Sequence, residues 1–169
     1  MDYFLLFSAL YLVSAAQLAL APVLTVGQAT PNFLAAAAGV WMLVFRDERS
    51  LVSASLWGLA ADLAYGGRLG PAVAIYLLVA FALLRMRPLA PVPGWLLMAA
   101  ACLAVLTITL AEAAARAALE GGLTWEALWP LWWGPGVYAS IIAVGLMFLV
   151  RSAVAIFGPD EPATWGASS

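Results

Sequence analysis

The sequence predicts an all-α, polytopic membrane protein of six transmembrane helices, and three observations carry that expectation. Of 169 residues, 66% are hydrophobic, with a mean hydropathy of +1.01. Only 9% are charged, where a water-soluble exterior needs roughly a quarter. The apolar stretches are long and are broken only by short polar islands, so lipid is the main solvent and a single domain is expected. That transmembrane domain is placed at residues 1–157, and the polar, Gly/Pro-rich tail GPDEPATWGASS, residues 158–169, is expected to be a disordered cytoplasmic extension.

The first apolar run, Tyr3 to Val26, is long enough for a hydrocarbon core of about 30 Å, which takes roughly 20 helical residues. A secretory signal peptide is disfavoured because Asp2 follows Met1 and no positive n-region precedes the run. The second run, PNFLAAAAGVWMLVF, opens with Pro31 at a position suited to a first helical turn and closes at RDER, residues 46–49. The third extends from Ser50 to Tyr65. The fourth starts at Pro71, behind Gly70, and ends at Arg85, Met86, Arg87 and Pro88, where proline stops the helix. The fifth spans Trp95 to Leu119 and the sixth Pro135 to Phe157. Runs two to four are short, roughly 22 to 25 Å as helices. They thin the bilayer locally or sit shielded behind the longer helices, and a re-entrant hairpin of runs two and three is the structural alternative.

Orientation follows from arginine. Six spans put Arg46, Arg49, Arg85, Arg87 and Arg151 on one side and leave Arg68 and Arg116 for the other. Positive charge collects on the cytoplasmic face, so both termini are expected there. The aromatic string TWEALWPLWWGPGVY, residues 124–138, then falls at the outer headgroup boundary as an interfacial segment leading into the last helix.

Several chemistries are excluded by what is missing. The chain has no histidine, which removes histidine-bearing zinc sites and Ser/His dyads. It has no lysine, which removes Schiff-base chemistry. Its one cysteine, Cys102, precludes an internal disulfide and reads as a small buried hydrophobe. A net charge of −2 without a basic block gives nucleic acid nothing to bind. No cofactor or metal is expected, and no catalytic residue is assigned.

The candidate site residues surround one acid. Counting by fours through Asp62 gives Ala54, Gly58, Asp62, Gly66 and Gly70, a small or polar row on one helical face. Such a row lets another helix backbone approach closely in lipid. A mid-membrane carboxylate costs about 2.5 to 3.5 kcal/mol on insertion scales and needs partners. Three are open to Asp62: a backbone amide of the turn GGRLGP, which holds Gly66, Gly67, Arg68 and Gly70; the Arg68 guanidinium; or a group on another protein. Asp62 therefore either pins this turn or serves a partner or ligand. On the fifth run Glu112, Arg116 and Glu120 stand four apart on one face. They read as an exposed or half-buried row of ion pairs, or as a docking surface for an extracytoplasmic partner.

A connected pattern runs through the first half of the chain. Pro22 lies late in the first run, followed by Gly27 and then Pro31 opening an apolar run. A short charged loop comes next, then Gly58-x-x-x-Asp62, a turn with Gly67 and Gly70, and a further apolar helix. This pattern resembles the MreD family of bacterial rod-shape proteins; the likeness covers about residues 20 to 85, and the second half agrees in length and hydropathy. One position departs, since MreD-like sequences often carry an aspartate after the proline and this chain has Asn32. The resemblance implies a fold similar to the S components of energy-coupling-factor transporters and a place in the bacterial inner membrane. It also implies a non-enzymatic scaffold of cell shape and peptidoglycan synthesis. Its partners would be MreC, the RodA glycosyltransferase, the elongation penicillin-binding transpeptidase and the MreB filament. A vitamin-binding S component is the rival expectation, with Asp62 and the aromatic string in an outward pocket. A lipid-modifying enzyme is disfavoured, because no nucleophile-and-base set or paired carboxylates are present.

Overall fold

A computed structural model describes residues 3–27, 29–45, 50–65, 69–86, 93–119 and 125–157, with the side chains of α6 described from 134 to 153. It has six helices: α1 (Tyr3–Ala19), α2 (Phe33–Val44), α3 (Ser50–Tyr65), α4 (Pro71–Arg85), α5 (Gly94–Leu119) and α6 (Trp125–Phe157). Among the described residues there is no strand, only an isolated bridge between Val26 and Ala29, so the all-α expectation holds. Two segments, Gly94–Leu119 and Gly134–Ala153, are long and apolar enough to cross a membrane. α1, α2 and α4 are shorter apolar helices. The tail 158–169 lies outside the described residues.

Three boundaries differ from the sequence expectation. The first run does not stay helical to Val26: α1 ends at Ala19, and Leu20 to Leu24 form turns. Pro22 accounts for this, because it has no N–H to give and disfavours helical geometry at the residue before it. Pro31 precedes α2 rather than sitting in its first turn, since Asn32 is the N-cap and its side chain accepts from Ala35 N. The aromatic string is helical from Trp125 and continuous with the last helix, whose expected start is Pro135. Trp125 to Phe157 form one 33-residue helix running through Pro130 and Pro135. Each proline removes a helical hydrogen bond, but abandoning the helix in apolar surroundings would strand more backbone groups than it frees.

α2 is the hub, packing against each of the other five helices. Its sequence FLAAAAGVWMLV has no polar face, and nine of its twelve residues are buried. The small side chains allow this: a Cβ on Gly39 would lie 2.6 Å from Val105 Cγ2 on α5. Around α2 the core combines Trp57, Tyr76, Leu34, Met42 and Ile108 with fully buried alanines such as Ala36, Ala54, Ala61, Ala101 and Ala139. Small residues on facing helices substitute backbone contact for side-chain interdigitation, the packing that suits a lipid solvent. The outside is apolar as well. Phe4, Tyr11, Leu103, Ile141, Phe148 and Leu149 each have more than half their surface uncovered, far more apolar patch than a monomer tolerates in water.

Consecutive helices run back and forth, as the ties between them show. Gln17 near the end of α1 bonds the start of α2, and Asp62 near the end of α3 bonds the start of α4. One end of the bundle therefore gathers the ends of α1, α3 and α5 with the starts of α2 and α4. Of the buried polar residues, Gln17, Asn32, Asp62 and Glu112 cluster at this end, whereas Ser50 and Ser53 lie at the other, where α3 starts.

Candidate functional site

The site begins where α3 stops. α3 ends at Tyr65, so the sequence row by fours is helical only through Ala54, Gly58 and Asp62. Gly66, Gly67 and Arg68 lie outside the described residues, and so does any pairing of Arg68 with Asp62. Gly70 is N-cap of α4 at φ +122°, a backbone region that glycine enters without strain, and Pro71 fills the first turn of the helix as expected. The chain thereby doubles back and brings its amides onto Asp62. Oδ2 accepts from Gly70 N at 2.7 Å and from Val73 N at 3.4 Å, while Oδ1 accepts from Ala72 N at 3.0 Å. These are the donors that a helix N-terminus leaves unsatisfied, and a carboxylate there also meets the positive end of the helix dipole. Of the partners open to Asp62, the turn's backbone is the one in place. At only 7% exposure, an unpartnered carboxylate here would be costly.

Gly58 sits one turn earlier on the same face. A Cβ there would stand 2.5 Å from Val73 Cα and 2.8 Å from Val73 N. The first turn of α4 thus rests directly on the backbone of α3, which is why its amides reach Asp62. Gly58 and Asp62 form one joint: the glycine sets the distance and the aspartate supplies the acceptors.

A cavity of about 300 Å³ opens beside this joint between α3, α4 and α5, lined by Asp62, Tyr65, Ile75, Glu112, Arg116 and Leu119 among others. Of the Glu112–Arg116–Glu120 row, the first two residues form a half-buried ion pair. Glu112 is buried, at 4% exposure, and its Oε2 accepts from Asn32 Nδ2 on the α2 cap at 2.8 Å. Arg116 approaches the same oxygen at 3.5 Å and stays half exposed, with its guanidinium 3.9 Å from the centre of the Tyr65 ring on α3. Glu120 lies outside the described residues. Helical periodicity puts Glu112 and Arg116 on one face, but only the arrival of α2 and α4 buries one and leaves the other at the rim.

Beneath the cavity Tyr76 Oη on α4 faces Glu112. The two do not meet in hydrogen-bond geometry, so Tyr76 Oη and Glu112 Oε1 are both buried without a partner. On the far side of Asn32, Gln17 Nε2 donates to Pro31 O at 3.2 Å and Gln17 Oε1 accepts from Phe33 N at 2.7 Å. Side chains therefore tie α1 to α2, α2 to α5, α5 to α3 and α3 to α4 at a single end of the bundle.

Chemically, this arrangement is occupied with holding helices. Both Asp62 oxygens are taken by main-chain donors, and Glu112 carries Asn32 and Arg116. Among the described residues no three His, Cys, Asp or Glu side chains gather as a metal would need. Sequence reasoning missed Gln17, Asn32, Tyr65 and Tyr76 as members. Gln17 and Asn32 had a signal, as lone amides in otherwise apolar runs; Tyr65 and Tyr76 had none, because an aromatic in an apolar helix is ordinary. No family model matches the chain, and neither curated proteins nor solved structures give a significant match.

Proposed function

We propose that the chain is an MreD-like membrane scaffold of bacterial cell-wall elongation, non-enzymatic, spanning the inner membrane six times with both termini cytoplasmic. On this reading it holds a single-span MreC-like protein beside the RodA glycosyltransferase and the elongation penicillin-binding transpeptidase, with the MreB filament on the cytoplasmic side. The observation that carries the proposal is the Gly58–Asp62 joint. Of the residues on which the resemblance rests, Gly58, Asp62 and Gly70 meet at one joint, where they cap and pack; Pro31 lies at the same end of the bundle, and Gly67 lies outside the described residues. Asn32, the departing position, caps α2 and binds Glu112. The apolar exterior and the arginine asymmetry support the membrane placement.

The cavity supports a second reading as a vitamin-binding S component, since about 300 Å³ reaches the lower end of small-ligand pockets. It is the weaker one, because the Asp62 oxygens that would face a ligand are held by three amides. Purification of the tagged chain from native membranes, with mass spectrometry of proteins and small molecules together, separates them. A single-span MreC-like protein with wall synthases is the expected catch. A stoichiometric vitamin and no such protein would replace the scaffold by the transporter component.

A further inference from the structure

At the opposite end of the bundle a second, apolar groove of about 440 Å³ lies between α4 and α5. Its α4 wall runs from Val79 to Met86 and its α5 wall from Leu96 to Thr107. We propose that this groove is a binding site for one acyl chain of an anionic phospholipid, with the lipid phosphate held by Arg85 and Arg151. The proposal rests on the membrane placement of α4 and α5 and is independent of the scaffold role.

Three features select a lipid chain. The first is length: Leu96 to Thr107 is eleven steps along a helix, about 16 Å at 1.5 Å per residue, close to half of a hydrocarbon core of about 30 Å. The groove does not continue across the membrane. Its lining stops at Val79 on α4 and Thr107 on α5, next to the fully buried Tyr76 and Ile108. A transmembrane partner helix would need a face running the whole depth, whereas one leaflet's acyl chain needs half of it. The second is surface: the walls are Val, Ala, Leu and Met, and Leu103 and Met86 expose most of their area to whatever fills the groove.

The third is charge: among the described residues, two arginines stand at the end of the groove where α4 stops and α5 starts. Arg85 ends α4 next to Met86, with its guanidinium 5.1 Å from the centre of the half-exposed Phe81 ring. The Arg151 guanidinium packs on Gly94, the first residue of α5 and two positions before Leu96, where an added Cβ would collide with it. Both arginines are exposed, and among the described residues neither pairs with a carboxylate. A phospholipid whose acyl chain lies in the groove with its headgroup at this end has Arg85 beside one wall and Arg151 beside the other, and guanidinium is the side chain suited to phosphate.

The test uses the full-length chain purified in mild detergent, exchanged with phosphatidylglycerol or phosphatidylcholine of the same acyl composition, and examined by native mass spectrometry. One phosphatidylglycerol is expected to be retained with a preference of roughly thirtyfold, the effect of two arginines at the scale of basic residues near a membrane surface. Arg85→Gln with Arg151→Gln should abolish the preference, and Ala99→Trp, which fills the groove from an exposed wall position, should remove the bound lipid altogether. Where Ala99→Trp lowers the yield of folded protein, a phosphatidylglycerol with a photoreactive acyl chain replaces it on the unaltered chain, and cross-links should fall within 79–86 and 96–107. Equal retention of the two lipids, or a preference that survives loss of both arginines, overturns the headgroup assignment. Cross-links spread over Phe4, Phe148 and Leu149 as densely as over the groove leave a membrane protein without this site. Absence of cross-links anywhere refutes the membrane placement itself. A single-span protein that shields the groove and is displaced by Ala99→Trp would make it a helix-docking site and overturn the lipid.

Discussion

Gly58→Ala adds one carbon atom at the joint between α3 and α4. On the present backbone that carbon stands 2.5 Å from Val73 Cα, 2.8 Å from Val73 N and 2.9 Å from Ala72 O. Carbon atoms rest at about 3.5 to 4.0 Å, so the first turn of α4 has to retreat by about 1 Å. All three obstructing atoms belong to the backbone, and no change of rotamer relieves them. The retreating turn is the one that donates to Asp62, and a shift of that size takes the Ala72 bond at 3.0 Å and the Val73 bond at 3.4 Å beyond hydrogen-bond range. Overpacking costs about 1 to 3 kcal/mol, and the weakened hydrogen bonds add about 1 kcal/mol. At this chain length each kcal/mol moves Tm by roughly 2 to 4 °C, so Tm in mild detergent should fall by at least about 4 °C. Gly145→Ala is the control: its Cβ meets nothing within 4 Å, and alanine is the better helix former, so Tm should hold or rise. Combined with Asp62→Ala, Gly58→Ala should cost less than the sum of the two, because both break one set of bonds. The reasoning is refuted if Gly58→Ala melts together with Gly145→Ala.

Asp62 itself should respond in graded fashion by the same measurement. Asp62→Ala strands buried amides at about 1 to 3 kcal/mol, whereas Asp62→Asn keeps one oxygen for the Gly70 and Val73 amides but turns an NH₂ toward Ala72 N, so its loss of Tm should be intermediate. Equal loss of partner recovery in two well-folded variants would instead make the charge functional. Asn32→Asp should destabilise the chain by about 1 to 3 kcal/mol, because it replaces the donor at 2.8 Å from Glu112 by a second carboxylate. Glu112→Gln in that background should recover Tm by restoring a donor to the pair, and failure to recover would mean that the contact does not join α2 to α5. For topology, single cysteines at Asp47 and Gly122 in a Cys102→Ala background should react with an impermeant maleimide from opposite sides of the membrane. Labelling from the same side would end the six-span reading.

The sequence by itself determined the apolar exterior and the helical class. Sixteen charged residues in a chain of 169 leave no alternative to an apolar exterior, and a backbone without water must satisfy itself within helices. It also determined the α3–α4 turn, because Gly70 and Pro71 are local signals whose meaning does not depend on distant residues, and Asp62 lay within reach of that turn's amides. Helix limits were less legible where proline was involved. α1 stops short of Pro22 whereas α6 runs through Pro135, so the same residue type marked a helix end in one place and not in the other. What only the tertiary structure decided was the fate of Glu112. Its neighbours along α5 announced an ion-pair row, yet its partner Asn32 is 80 positions away, and no local pattern records such a separation. The cavity and the apolar groove belong to the same class, since both are spaces between α4 and α5. Their walls are held where they are by neighbouring helices: α4 lies against Gly58 of α3 through Val73, and α5 against Gly39 of α2 through Val105. A glycine in the sequence shows that close approach is permitted; which backbone makes the approach is settled by the packing of the whole bundle.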